Sequence, residues 1–413
     1  MPAASEKPRI LLITQVYPPD PAAVGQYMAE LGEALAARGW DARVLASGRG
    51  YDDPSLKYPP KETLRGVRVR RLPWSSLGKK TILHRLAGQA LFCVQAILRG
   101  LFTRRLGLIV ITTSPPMGSV VGLTLGIVRR CPVAYWVMDI NPDQAILLGK
   151  ARADSPLVRA FEAFDRAILR RARTIVTLDT YMAERLQAKA PEAAERIAAG
   201  APWPMEERIT RIEHADNPFR RTHGLEGKTV VMYSGNHSLA HPLDTVLEAA
   251  LRLRDHPTLV FLFVGGGHAK KPIDDAIASE QPPNLKSLPY QPLETLSESL
   301  SAADVHLVAM GTQMVGVVHP CKVYGALALA KPICFIGPRP SHVTDLIDEA
   351  NCGWAVPQGD VEGLVARFEA IAAADPAELE LRGRRGRDLV AARFSKRVLC
   401  EQVCTKLETV VRV

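Results

Sequence analysis

The chain has 413 residues, 47% hydrophobic and 23% charged, a balance that excludes a disordered or fibrous polypeptide and leaves material for two cores. Its net charge of +9 suits an anionic partner, but aromatics are only 6% and no basic run is interleaved with them, which argues against nucleic acid. Seven cysteines, several inside apolar runs, predict buried reduced thiols in a cytoplasmic protein, and no apolar run reaches the ~18–20 residues of a spanning helix.

From the N-terminus, Glu6, Lys7 and Arg9 lead straight into an apolar strand at 10–14, so no signal peptide is expected. Further strand-like runs follow at 41–46, 67–72, 108–112, 133–138 and 174–178. A second series occupies 229–234, 259–264, 285–288, 305–309 and 333–336. Helical patterns separate them, so the alternation predicts parallel sheets built of βαβ units. Between the two series, 203–220 is rich in Pro and charge, lacks periodicity and reads as a linker. The fold class is therefore α/β, with two doubly wound parallel-sheet domains in tandem.

One helical segment, 82–106, carries Leu83, Leu86, Ala87, Ala90, Leu91, Val94, Ile97, Leu98, Leu101 and Phe102 at i, i+3, i+4 spacing, with Arg85, Arg99, Arg104 and Arg105 around them. Two readings stay open: a core-facing helix, or a basic amphipathic helix touching an anionic membrane.

Doubly wound sheets bind ligands at the carboxyl ends of their strands, where glycine turns let backbone approach closely. Three turns fit. They are Ser234-Gly235-Asn236-His237, Val264-Gly265-Gly266-Gly267-His268, and the stretch from Pro18 to Gly25 ahead of a helix at 27–37. A fourth turn carries His319, Pro320 and Lys322 into an Ala/Leu-rich helix that Lys331-Pro332 ends. Helix N-terminus and lysine together suit a phosphate. His319-Pro320-Cys321 has no second ligand pair at matching spacing, so no metal is expected. The spacing around Gly265 is not Gly-x-Gly-x-x-Gly, which argues against a dehydrogenase.

The ordered set of motifs resembles the retaining nucleotide-sugar glycosyltransferases of the two-Rossmann (GT-B) fold, family 4 type, in the branch that builds capsular, exopolysaccharide or lipid-linked sugars. It runs from Leu11-Leu12-Ile13-Thr14-Gln15-Val16-Tyr17-Pro18-Pro19-Asp20 through Thr113-Ser114-Pro115-Pro116 to Trp136-Val137-Met138-Asp139-Ile140-Asn141-Pro142-Asp143. It continues with Val231-Met232-Tyr233-Ser234-Gly235-Asn236, Phe263-Val264-Gly265-Gly266-Gly267, the Lys322 turn and Gly359-Asp360.

The resemblance implies two tandem Rossmann-like domains with an interdomain cleft: an acceptor domain at 1–202, a linker at 203–220, a nucleotide-sugar domain at 221–395, and a C-terminal helix at 396–413 packing back toward the first domain. It places Gly235 and Asn236 near the diphosphate and Gly265 and Gly266 along the nucleotide, with Tyr290 at the base. Lys322 would neutralise the leaving pyrophosphate, with His319 and Pro320 beside it and Asp345 in the next segment, where a helix-cap role is equally open. Gly25 belongs to the loop over the donor. Asp139 is either the carboxylate that meets the acceptor hydroxyl or a structural group bonding the Asn141-Pro142 turn.

The donor would be a nucleotide diphosphate sugar, with no cofactor required. The acceptor would be a saccharide or lipid-linked hydroxyl, met by a cytoplasmic enzyme in peripheral contact with the inner membrane face. Two departures stand out. Relatives carry Glu-x7-Glu where this chain has Val317 and Gly325, and Arg and Lys near Asn236 and His241. His319, His237, His241 and Lys270 are the candidate substitutes. A nucleotide-sugar epimerase and a non-catalytic nucleotide-binding protein are the alternatives.

Overall fold

The structure, a computed structural model, describes residues 7–20, 22–50, 53–75, 82–204 and 209–412. The chain divides into two units, Met1–Pro202 with Arg397–Val413, and Trp203–Lys396.

The first unit holds an eight-stranded sheet: β1 Arg9–Ile13, β2 Asp41–Ser47, β3 Lys61–Leu64, β4 Val67–Leu72, β5 Leu106–Thr112, β6 Val133–Trp136, β7 Thr174–Thr177 and β8 Ile197–Ala199. The strand order is β3-β4-β2-β1-β5-β6-β7-β8, parallel except for β3. Leu11, Leu12, Ile109, Val110 and Ile111 are buried on both faces, as a sheet covered by helices requires. β3 escapes the sequence reading because Lys61-Glu62-Thr63 is charged and part-exposed at the sheet edge. Its pairing is set by the two-residue turn Arg65-Gly66, both at positive φ (44° and 83°), the backbone that matches the twist of a hairpin. The order reverses between β1 and β5, and Gln15 N donates to Ser114 O (2.8 Å), so the loops after these two strands lie side by side.

The helix Ile82–Leu101 resolves the open question about its face. Gln89, Phe92, Cys93 and Ala96 are buried, whereas Leu91, Val94, Leu98 and Phe102 are exposed, Phe102 by 83%. The apolar row read as the core stripe therefore points outward. Packing decides this: Gly100 sits against the helix Gly118–Val128, where an added Cβ would come within 2.4 Å of Leu125. At the C-terminus, the helix Lys396–Glu408 belongs to this unit from Arg397 onward. Arg38 pairs with Glu401 and Glu408, and Trp40 Nε1 donates to Glu408 (2.7 Å).

The second unit has six parallel strands: β9 Thr229–Asn236, β10 Leu259–Gly266, β11 Leu285–Leu288, β12 Val305–Ala309, β13 Ile333–Ile336 and β14 Gly353–Val356. Their order is β11-β10-β9-β12-β13-β14, reversing between β9 and β12. Alternate residues feed two cores. Val231, Tyr233, Phe261 and Phe263 pack on one face, and Val230, Met232, Val260 and Leu262 on the other. Of the expected linker, 205–208 lie outside the described residues. The rest is held to the second unit by Ile212 N on Ser301 Oγ (3.0 Å), the Arg211–Glu380 pair (2.6 Å), and Asn217, which caps Pro218–Thr222. All seven cysteines are free thiols, six of them buried. Among the described residues, no helix is long and apolar enough to cross a membrane.

The orientation of Ile82–Leu101 is directly measurable. Phe92→Ala should cost about 3–5 kcal/mol of unfolding free energy, and Leu98→Ala less than about 0.5 kcal/mol. Comparable losses in denaturant titrations would mean that the exposed row is packed.

Candidate active site

In the second unit, the carboxyl ends of β9 and β10 interlock. Gly235 and Asn236, read as a turn from the sequence, are the last rungs of β9 and pair with Gly265 and Gly266. The contact needs glycine. At Gly265 (φ +123°) a Cβ would lie 2.1 Å from Gly235 O, and Gly235 itself has φ +120°. Lys270 fixes the neighbouring strand end, its Nζ donating to Gly265 O (2.7 Å) and Leu288 O (2.6 Å). It is thus committed to backbone carbonyls and is not the diphosphate substitute considered above. Beyond β11, Tyr290 is 60% exposed and donates to Gly266 O (3.2 Å).

Lys322 opens the short helix Lys322–Ala328 and reaches back to this strand end. Its Nζ lies 3.4 Å from the centroid of the Tyr233 ring, and an added Cβ on Gly235 would be 3.5 Å from it. The ammonium is buried, and among the described residues it has no hydrogen-bond partner. Burial pulls its pKa down to about 7. The helix has only seven residues, so its dipole adds little and the side-chain charge dominates anion recognition.

Two imidazoles complete the surroundings. His237 is fully buried, donates from Nδ1 to Gly235 O (3.0 Å) and meets the Tyr233 ring edge-on (4.7 Å), with Nε2 unpartnered. His241 donates from Nδ1 to Ala309 O (2.8 Å). Burial, then the Lys322 charge, holds both at about 4, so both are neutral at pH 7. The result is an amine ringed by an aromatic face and neutral imidazoles, with the rims of two glycine strand ends beside it. Such a group is satisfied by an incoming anion.

The remaining candidates of this unit lie elsewhere in the packing. His319 is buried, bonds Tyr324 OH through Nε2 (3.0 Å) and stacks on His342 (3.8 Å). Pro320 precedes the helix, and its carbonyl accepts from Val323 N (3.3 Å). Asp345 is exposed one turn into His342–Ala350. It is not the cap: Ser341 is, in a reciprocal box with Thr344. Val317 is fully buried, whereas Gly325 faces open space, with no atom within 4 Å of an added Cβ. Gln358, which the sequence reading passed over, ties the strand ends together by donating to Pro242 O and Ile336 O (3.1 Å each) and accepting from Thr245 (3.0 Å). A glutamine in a Gly-Asp turn gives no signal until the strands it joins are known.

In the first unit, Gly25 lies in the first turn of Ala23–Ala37, where a Cβ would approach the Val16 and Tyr17 backbone to 3.0 Å. Asp139 follows β6, its N–H bonding Thr113 Oγ1 (3.3 Å). Among the described residues its carboxylate has no partner, so no bond to the Asn141-Pro142 turn is seen. Burial raises its pKa to about 6. Gly25 and Asp139 both stand at the carboxyl end of their sheet, as does the Lys322 group in the other unit.

These features define a protein of two Rossmann-like doubly wound units, the second with an anion-ready strand end. A family model for the glycosyl transferase 4-like domain matches residues 22–201, and one for glycosyl transferases group 1 matches 216–386. The chain belongs to the family 4-type glycosyltransferases of the GT-B fold. It is 24% identical over 260 residues to the probable glycosyltransferase WbjE of Pseudomonas aeruginosa, covering 62% of this chain and 64% of WbjE. It is 26% identical over 341 residues to the putative colanic acid biosynthesis glycosyl transferase WcaI of Escherichia coli K12, covering 78% of this chain and 81% of WcaI. Its fold matches that of Anabaena HepE, solved in complex with UDP and glucose, with a TM-score of 0.70 at 14% identity over 97% of this chain and 100% of that one.

An unpaired buried ammonium costs stability, so Lys322→Met should melt higher than wild type, by about 2–4 °C per kcal/mol relieved, while losing stabilisation by nucleotide diphosphates. A lower melting temperature would show that the lysine holds the fold rather than a ligand.

Proposed function

We infer that this glycosyltransferase moves a sugar from a nucleotide diphosphate donor to a hydroxyl of a saccharide or lipid-linked acceptor in cell-surface polysaccharide biosynthesis, with retention at the anomeric carbon. One observation carries the donor assignment: the buried Lys322 ammonium, partnerless among the described residues, lies beside the Gly235–Gly265 contact at the end of β9, the strand that borders the reversal of strand order. The UDP bound by HepE and the polysaccharide role in the name of WcaI support the same reading.

In this scheme the diphosphate lies along Gly235, Asn236 and Lys322, and the nucleotide along Gly265, Gly266 and Tyr290. The bond from the anomeric carbon to the leaving phosphate oxygen breaks, and its electron pair departs with the nucleotide diphosphate. Lys322 neutralises the growing charge in a site poor in water. The acceptor oxygen bonds the same face of the anomeric carbon, and its proton passes to the leaving phosphate. Asp139, largely ionised at pH 7, accepts a hydrogen bond from the acceptor hydroxyl and orients it. Gly325 leaves room at a position where relatives carry an acid, so sugar contacts there come from other groups, His237 Nε2 first among them. Lys322, rather than a divalent ion, takes the charge-neutralising role, and the enzyme meets its acceptor as a peripheral protein at the inner membrane face.

Asp139→Asn should lower kcat by about a hundredfold with the donor dissociation constant nearly unchanged; equal losses in both would assign Asp139 to structure. Lys322 also sets a pH dependence. Its free-state pKa of about 7 lies below the ordinary value, and a bound diphosphate raises it. Affinity for a nucleotide sugar, whose diphosphate charge is constant across this range, should therefore be highest below pH 7 and fall as pH rises above it. A calorimetric affinity flat from pH 6 to about 9 would remove Lys322 from the diphosphate site. Turnover undiminished by chelator accords with the metal-free role, and inhibition reversed by magnesium contradicts it.

A further inference from the structure

The first unit has a cavity of about 610 Å³ that plays no part in the reading above. It lies at the amino end of the sheet: Arg9 opens β1, Arg43 and Arg68 sit near the starts of β2 and β4, and Arg104 precedes β5. Gly25 and Asp139 stand at the opposite, carboxyl end. Seven of its fifteen lining residues are Arg or Lys, against one carboxylate, Glu62. That carboxylate is already taken by the buried Arg71 (2.6 Å).

Asp41 serves three of the arginines alone, at 2.7 Å from Arg9, 3.2 Å from Arg43 and 2.6 Å from Arg68. Burial would raise its pKa, but the three guanidiniums outweigh this and hold it at about 2. Arg70, Arg99 and Arg104 are left with no carboxylate among the described residues. Burial, then the Arg99 charge, depresses Arg70 below its ordinary value. Like charges gathered around one cavity call for an external anion.

The lining also has an apolar part: Leu11 and Leu45 share the sheet face of these arginines, and Phe102, which is 83% exposed, lies beside them. From Phe102 the exposed row runs back along the helix through Leu98 (51%), Val94 (53%) and Leu91 (39%). The next helix extends it: Ile127 and Val128 are both exposed, and Arg129 beside them donates to Gly100 O (3.4 Å) and Leu101 O. A cationic pocket that opens onto an exposed apolar strip matches an amphiphilic anion in charge and in polarity.

We propose that this pocket and helix row form a docking site for anionic membrane lipid, with the lipid phosphate among Arg70, Arg99 and Arg104 and the acyl region against Leu91, Val94, Leu98 and Phe102. The inference deepens the peripheral encounter proposed above and is independent of the donor and acceptor named there. It gives the enzyme a second point of contact, at the end of the sheet remote from its chemistry.

The test is co-sedimentation of the full chain with phosphatidylglycerol–phosphatidylcholine vesicles and with phosphatidylcholine alone. Each run is paired with the melting shift produced by nucleotide diphosphate. Wild type should bind only the anionic vesicles, less tightly at raised salt. Arg70→Gln/Arg99→Gln should weaken binding by about tenfold or more, and the exposed Leu98→Gln should weaken it independently, both keeping the nucleotide-induced melting shift. Anionic vesicles bound equally by wild type and both variants would overturn this surface while leaving the peripheral encounter standing. No vesicle binding by wild type would overturn both. Full competition by millimolar inorganic pyrophosphate, with Leu98→Gln binding as wild type, would make the pocket a site for free anions and overturn the lipid assignment.

Discussion

A lysine ammonium held against an aromatic ring, out of water and, among the described residues, with no carboxylate to meet it, is the constraint around which the second unit is arranged. Lys322 is placed there by a turn and a helix of seven residues, and it reaches the end of β9 because Gly235 has no side chain to keep it away. Its neighbours are the Tyr233 face and two imidazoles that its own charge helps to keep neutral. None can discharge it. The fold stores an electrostatic deficit at one strand end, and in the function proposed above the diphosphate of the donor removes it.

Position and backbone then do what charge alone cannot. The Gly235–Gly265 contact closes two adjacent strand ends to a separation that a methyl group would prevent. Lys270 and Gln358 brace the surrounding loops from behind through bonds to carbonyls of neighbouring strands. The first unit repeats the layout with different chemistry. Gly25 packs on the backbone after β1, and Asp139 stands at the end of β6 on a Thr113 hydroxyl. Its opposite end carries the excess of arginine.

Much of this was legible in the sequence, for identifiable reasons. Buried parallel strands are continuous apolar runs, so all eleven predicted runs end within two residues of an observed strand end, 133–138 overshooting β6 by two. Glycines at φ near +120° and a lysine after a Pro turn are single-residue signals that survive without a structure. Features set by tertiary packing were not legible. The edge strand β3 is too polar to announce itself, β8 has only three residues, and β14 opens on a glycine and is only half-buried at its centre. The face of Ile82–Leu101 stayed open because periodicity shows that a helix has an apolar row but not whether a neighbour covers it; here Gly100 and Phe92 decided. The roles of Lys270 and Gln358 depend on carbonyls distant in the sequence, and the Ser341 cap displaced the one considered for Asp345.

The central claim is that Lys322, its pKa lowered by burial, waits for a phosphate. Following the Lys322 Nζ resonance by NMR through a pH titration, with and without nucleotide diphosphate, tests it most directly. The account predicts a pKa near 7 in the free protein that rises when nucleotide binds. A free-state pKa at the ordinary lysine value, or one that nucleotide leaves unmoved, would contradict it.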